Sequence, residues 1–195
     1  MTKELLSPRI CYRLNIIGDH RSGKTTLFKN GQESKLDYLE TTLSPEIECR
    51  SHEYKNELYC FIITDTPGHT SFNRMNEFYY DNYDCLIIVV DLSNEKNFLN
   101  LPFLIDKIKS VNILYNSNEK TIVLVGNTRG RQYVIDTDIE NYAKQHSFFY
   151  FKFNPSDDLF LTKIFQLVIE NKKNGKQKNR QQCFERLIGC WGSSS

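Results

Sequence analysis

Cys85–Leu92 reads CLIIVVDL and Thr121–Asn127 reads TIVLVGN, two short runs that are apolar nearly throughout. Successive side chains of a strand point to opposite faces, so a strand can be apolar at every position only if both faces are covered. Such runs fit central strands of a parallel sheet, buried on both faces. Leu58–Thr66 (LYCFIITDT) and Phe148–Phe153 (FFYFKF) are runs of the same kind, and Ile10–Gly18 (ICYRLNIIG) alternates before closing on a β-branched pair. Glu46–Ser51 (EIECRS) alternates only weakly and is expected at a sheet edge. Between the runs the period changes to that of a helix. Leu101, Leu104, Ile105 and Ile108 stand at i, i+3, i+4 and i+7, as do Ile139, Tyr142, Ala143 and His146, and Leu161, Ile164, Phe165 and Val168. Pro102 is expected in a first turn, where its missing N–H does no harm. Strands alternating with crossover helices predict a three-layer α/β sandwich with ligands at the carboxyl ends of its strands.

The chain has 195 residues, which suits a single domain, and a formal net charge of +1, which gives no global field for nucleic acid. No apolar run approaches the roughly 20 residues of a membrane span, and MTKELLSPRI has no signal-type apolar core. The six cysteines form no C-x-x-C pair and are expected to be free thiols. A cytoplasmic protein is therefore expected.

The residues that point to chemistry begin where the first strand ends. Gly18, Asp19, His20, Arg21, Ser22, Gly23, Lys24 and Thr25 spell G-x-x-x-x-G-K-T, followed by Thr26 and a helical KTTLFKN. Backbone N–H groups of such a loop, with the helix N-terminus, face phosphate oxygens. Lys24 would reach the β- and γ-phosphates and the Thr25 hydroxyl would bind Mg²⁺. His20 and Arg21 are bulky for this position. They leave phosphate binding intact but crowd the γ-phosphate, where an attacking water must fit. About 40 residues later ITDTPGHT closes a strand. There Asp65 would hold a water on the metal and the Gly68 N–H would bond the γ-phosphate, while Thr41 or Thr42 of YLETTLSPE would add a hydroxyl to the metal.

With both motifs in place, the chain resembles a Ras-superfamily small GTPase, most like the Rab branch, over roughly residues 9 to 170. GDHRSGKTTL resembles the Rab form of the loop, YLETT the first switch, and DTPGHTSFNRMNEFYYDNYDCLIIVVDLSNEKNF the second switch and following strand, with Tyr79, Tyr80 and Asp91 in Rab-like positions. The resemblance implies the P-loop NTPase fold, a six-stranded, mostly parallel sheet flanked by about five helices. It divides the chain into an N-terminal extension (1–8), a G domain (9–170) and a tail (171–195). It also implies GTP/GDP as ligand, Mg²⁺ as cofactor, and effector, exchange-factor and activating proteins as partners.

Three positions depart from that pattern. His69 follows Gly68 where the resemblance implies a glutamine that orients water; translation-factor GTPases carry a histidine there, so His69 is either the catalytic residue or an exposed bystander. The base motif N-K-x-D reads Asn127, Thr128, Arg129, Gly130, without the carboxylate for the guanine edge. FNPSDD stands where S-A-K is implied, and no aromatic lies between Phe28 and Tyr38. In the tail, Lys172, Lys173, Lys176, Lys178 and Arg180 precede Phe184, Leu187, Ile188 and Trp191 at helical spacing, a candidate for peripheral contact with lipid or a protein groove. CWGSSS gives no prenylation signal, and Cys183 and Cys190 are weak candidates for acylation. Two main readings follow: a GTP/GDP switch with slow hydrolysis, or a degenerate member acting as a protein-binding module with weak, absent or non-guanine nucleotide binding. An ATP-using phosphotransferase is a weaker third.

Overall fold

The computed structural model describes residues 10–31, 44–68, 78–111, 120–128 and 130–174. Six strands form one sheet: β1 (Ile10–Ile17), β2 (Glu46–Tyr54), β3 (Glu57–Asp65), β4 (Cys85–Asp91), β5 (Thr121–Asn127) and β6 (Phe149–Phe153). Their spatial order is β2-β3-β1-β4-β5-β6. β3, β1, β4, β5 and β6 run parallel, and β2 is antiparallel at one edge. Five helices lie wholly within the described residues: α1 (Lys24–Phe28), α2 (Glu95–Leu99), α3 (Leu101–Val111), α4 (Asp136–Gln145) and α5 (Phe160–Lys173).

The apolar runs behave as their composition requires. Every residue of β5 is buried, and so are the first six of β4. Ile87 and Val89 face one core with Leu14, Ile16, Phe61 and Ile63, closed by Leu27 of α1 and by Ile164, Phe165 and Val168 of α5. Leu86, Ile88 and Val90 face the other, closed by Leu101, Ile105 and Ile108 of α3 and by Ile139 and Ala143 of α4. Phe165 stacks on Phe61 with centroids 4.1 Å apart and planes at 12°. Burial of each such side chain contributes about 1.5–3 kcal/mol.

Two elements differ from the sequence reading. β2 runs on to Tyr54 and joins β3 through Lys55 and Asn56, both at positive φ (51° and 61°). This is the two-residue hairpin geometry in which glycine is favoured, and no glycine marks it here. The extension is held from the inside: His52 packs on Phe165, and the Tyr54 hydroxyl donates to Glu170. Together Tyr54 and Lys55 hold the Glu170 carboxyl below the usual range, the Lys55 contact being the larger cause. The short α2 has too few turns to show a period, but its cap is legible, since the Asn94 side chain accepts from the Lys96 N–H at 3.1 Å.

Because β1 lies between β3 and β4, the chain leaves β1 toward the β2–β3 side and leaves β4 toward β5, which opens a crevice between their carboxyl ends. Gly18 stands in that crevice at φ 144°, and a Cβ on it would lie 2.3 Å from the Val89 carbonyl oxygen. Gly18→Ala is therefore expected to cost about 2–4 kcal/mol of stability, from backbone strain plus overpacking. A urea unfolding midpoint equal to that of the parent would refute this.

Candidate functional site

The loop after β1 turns back on itself, with the Ser22 N–H on the Asp19 carbonyl at 3.2 Å, and enters α1 through Gly23 at φ 105°. Arg21 occupies a left-handed conformation (φ 58°) and is exposed, so its bulk points away from the loop. His20 is half-buried, as are Thr25 and Thr26. The Lys24 side chain curls over the loop. Its Nζ donates to the carbonyls of Gly18 at 3.0 Å and Asp19 at 2.6 Å, and the residue is 5% exposed.

Asp65 ends β3 beside β1, in register with Ile16, and is fully buried. The Thr25 hydroxyl donates to its Oδ2 at 2.6 Å. Thr66 then fixes the departing chain, its hydroxyl donating to the Ile16 carbonyl at 2.8 Å. That anchor lays Gly68 against the loop. A Cβ there would come within 2.3 Å of Lys24 Nζ and 2.8 Å of the Asp19 carbonyl oxygen. Lys24, Thr25, Asp65 and Gly68 thus meet at one place, although 40 residues separate Thr25 from Asp65.

The other end of the crevice is built from β5. Asn127 is buried, and its Nδ2 donates to the Ser22 carbonyl at 2.9 Å, bracing the loop from behind. Thr128 is half-buried, and its hydroxyl oxygen has no hydrogen-bond partner among the described residues. The Gly130 N–H bonds Ser93 Oγ at 3.2 Å, and among the described residues, its chain neighbours aside, nothing lies within 4 Å of where its Cβ would be. Beyond it the chain is tied down. Tyr133 and Val134 donate their N–H groups to the Leu92 carbonyl, and Gln132, Asp136 and Lys152 form a network. Lys152, followed by Gln132, holds the Asp136 carboxyl below its usual range.

His69, Thr41, Thr42 and Arg129 lie outside the described residues, as does the tail from Gly175. Besides the brace from Asn127 to Ser22, two contacts were not foreseen from sequence. Asn100 Nδ2 donates to Asp19 Oδ2 at 3.1 Å, and Ser93 caps the Gly130 N–H. Both partners come from the segment between β4 and α3, and neither belongs to a motif.

The residues present fit a bound polyphosphate. A helix N-terminus, an ammonium and two close-packed glycines converge, and a hydroxyl–carboxylate pair suited to a hard divalent cation stands beside them. At the base end the carboxylate that guanine would require is missing. Fold and loop together define a P-loop α/β protein. A model of the Ras family matches residues 13–174, and the chain belongs to that family. It is similar to the Ras-related protein RabH of Dictyostelium discoideum, 24% identical over 198 residues, covering 95% of this chain and 98% of the relative. RabN1 of the same organism is 26% identical over 176 residues, covering 85% and 77%. Rab-22A of Homo sapiens is 30% identical over 87 residues, covering 44% and 45%. The chain is a divergent, Rab-like small GTPase.

Proposed function

We propose that the protein is a GTP/GDP switch of the Rab type with an intact phosphate end, an altered base end and slow intrinsic hydrolysis. The observation that carries this reading is the 2.6 Å pair of Thr25 and Asp65 beside the buried Lys24 ammonium. Lys24 would exchange its two carbonyl partners for phosphate oxygens, a charge-assisted contact. Thr25, with Thr41, would offer hydroxyls to Mg²⁺, and Asp65 would hold one of its waters. Bound there, Mg²⁺ would offset phosphate charge. Gly68 would read the γ-phosphate through its N–H, and Asn127 would support both loop and base. The G domain would span 9–170, and the tail from 171 would make peripheral membrane contact. Effectors, exchange factors and activating proteins would read the two switch segments, in a role in membrane traffic.

Nucleotide that co-purifies with the full chain, identified by chromatography, tests the reading. GTP or GDP supports it. An empty protein supports the alternative of a degenerate binding module, which the bare Gly130 favours, and ATP or ADP supports a phosphotransferase.

Turnover is expected to be slow, because in-line attack needs water within about 3–3.5 Å of phosphorus and misplacement by about 1 Å costs on the order of a hundredfold. His20, half-buried with its backbone close to Gly68, would narrow that space through its imidazole. His20→Ser should not lower the single-turnover rate. If His69 orients the water, His69→Ala reduces the residual rate; an unchanged rate makes His69 a bystander. A parent as fast as a fully stimulated GTPase would overturn the crowding argument.

A further inference from the structure

Three of the six cysteines lie side by side across the sheet edge, on the face turned away from α1 and α5. Cys60 of β3 is in register with Cys11 of β1, and Cys49 of β2 sits on its other side. Cys60 pairs with Ser51 and Cys49 with Ile62, so Cys49 and Cys60 are diagonal neighbours on one face. Their sulfurs are nevertheless 2.8 Å apart. That is well inside the roughly 3.5–4.0 Å of ordinary non-bonded carbon contact and less than about 1 Å from a covalent S–S bond. Exposure differs along the row: Cys49 and Cys11 are exposed, and Cys60 is 5% exposed.

We propose that Cys49 and Cys60 form a reversible, redox-sensitive crosslink between β2 and β3, made by reaction with a hydroperoxide. The Cys49 thiolate attacks one peroxide oxygen and breaks the O–O bond, becoming a sulfenic acid and releasing hydroxide or alkoxide, which takes up the proton that Cys49 lost on ionising to give water or an alcohol. Cys60 sulfur then displaces hydroxide from the sulfenic sulfur, and the thiol proton of Cys60 neutralises it to water. In total two thiols lose two electrons and two protons, and one peroxide becomes two molecules of water or one of water and one of alcohol. The order follows from access, because peroxide reaches Cys49 at the surface and not Cys60. It also follows from acidity: burial, then the contacts with Cys49 and Cys11, push the Cys60 thiol up to about 12, making it the poorer first nucleophile. The bond would close a ring around the Lys55–Asn56 turn and pin the edge strand to the strand that ends in Asp65.

The test is treatment of the full-length chain with hydrogen peroxide, alkylation of the remaining thiols, and mass spectrometry of the intact protein and its peptides. The expected result is a loss of about 2 Da, two hydrogens per disulfide, with Cys49 and Cys60 in one crosslinked peptide. A dithiol reductant should restore the parent mass. Cys49→Ser, at an exposed position, should lower the crosslinked fraction at least about tenfold and leave Cys60 open to alkylation after denaturation. Cys11→Ser should leave the crosslink in place. Folding of each variant is checked by circular dichroism, and Cys60→Ala serves as a second block on the same bond. A crosslink from Cys60 to Cys11, a crosslink through Cys183 or Cys190 alone, or Cys49 oxidised to the sulfinic acid with Cys60 still reduced would each overturn the proposal.

Discussion

Lys24→Ala is expected to weaken binding of Mg·GTP by between about tenfold and a hundredfold, the 1.5–3 kcal/mol typical of a hydrogen bond to a charged group. The ammonium is nearly buried and held 2.6 and 3.0 Å from the carbonyls of Asp19 and Gly18. It is already desolvated and already aimed at the loop, so little side-chain ordering opposes its transfer to phosphate. Removing it leaves the backbone donors of the loop, which is why residual binding is expected. Lys24→Arg should not restore affinity, because a planar guanidinium does not replace a compact ammonium over two crowded carbonyls. Titration with a fluorescent guanine nucleotide measures the effect, with thermal unfolding as the control for folding. Equal affinity of Lys24→Ala and parent would remove the phosphate cradle from the proposed function.

The strands were legible because burial on both faces leaves short, nearly continuous apolar runs, and the buried β4 and β5 agree with CLIIVVDL and TIVLVGN. The weak alternation of EIECRS correctly marked an edge, but its end at Tyr54 did not show. There the hairpin depends on contacts to α5, made by His52 and Tyr54, instead of on a local turn signal. The same division holds at the site. Loop, Lys24, Thr25, Asp65 and Gly68 were visible because each belongs to a short motif with a physical reason for its spacing. The brace from Asn127 to Ser22, the tie from Asn100 to Asp19 and the cap of Gly130 by Ser93 were not. These join segments between 37 and 105 residues apart, and no local pattern encodes such a pairing. His20 is the intermediate case. The sequence marked it as bulky, and only the structure gives the closeness of its backbone to Gly68.

Restoring the base motif is expected to change what the protein selects. In the double variant Gly130→Asp, Thr128→Lys, preference for GTP over ATP should rise by on the order of a hundredfold or more, since a site that hydrogen-bonds its ligand's edge rejects analogues lacking those groups far more strongly than an apolar pocket does. The structure allows the change at little cost. Gly130 is not among the glycines at positive φ, and no atom of the described residues, its chain neighbours aside, stands within 4 Å of its Cβ position. Its N–H is fixed by Ser93, and the following chain is held by Leu92 and by the Gln132–Asp136–Lys152 network, so a new carboxylate would be presented from a supported backbone. Thr128 gives up no hydrogen bond, because its hydroxyl oxygen has none among the described residues. Gly130→Asp alone should supply most of the gain, since the carboxylate is the group that accepts from the guanine edge, and Thr128→Lys alone should supply little. Competition titrations of GTP and ATP on parent, single and double variants read the ratio. A parent that already prefers GTP by several powers of ten would mean that another residue recognises the base. An unchanged ratio in the double variant would mean that the base does not lie against this end of β5.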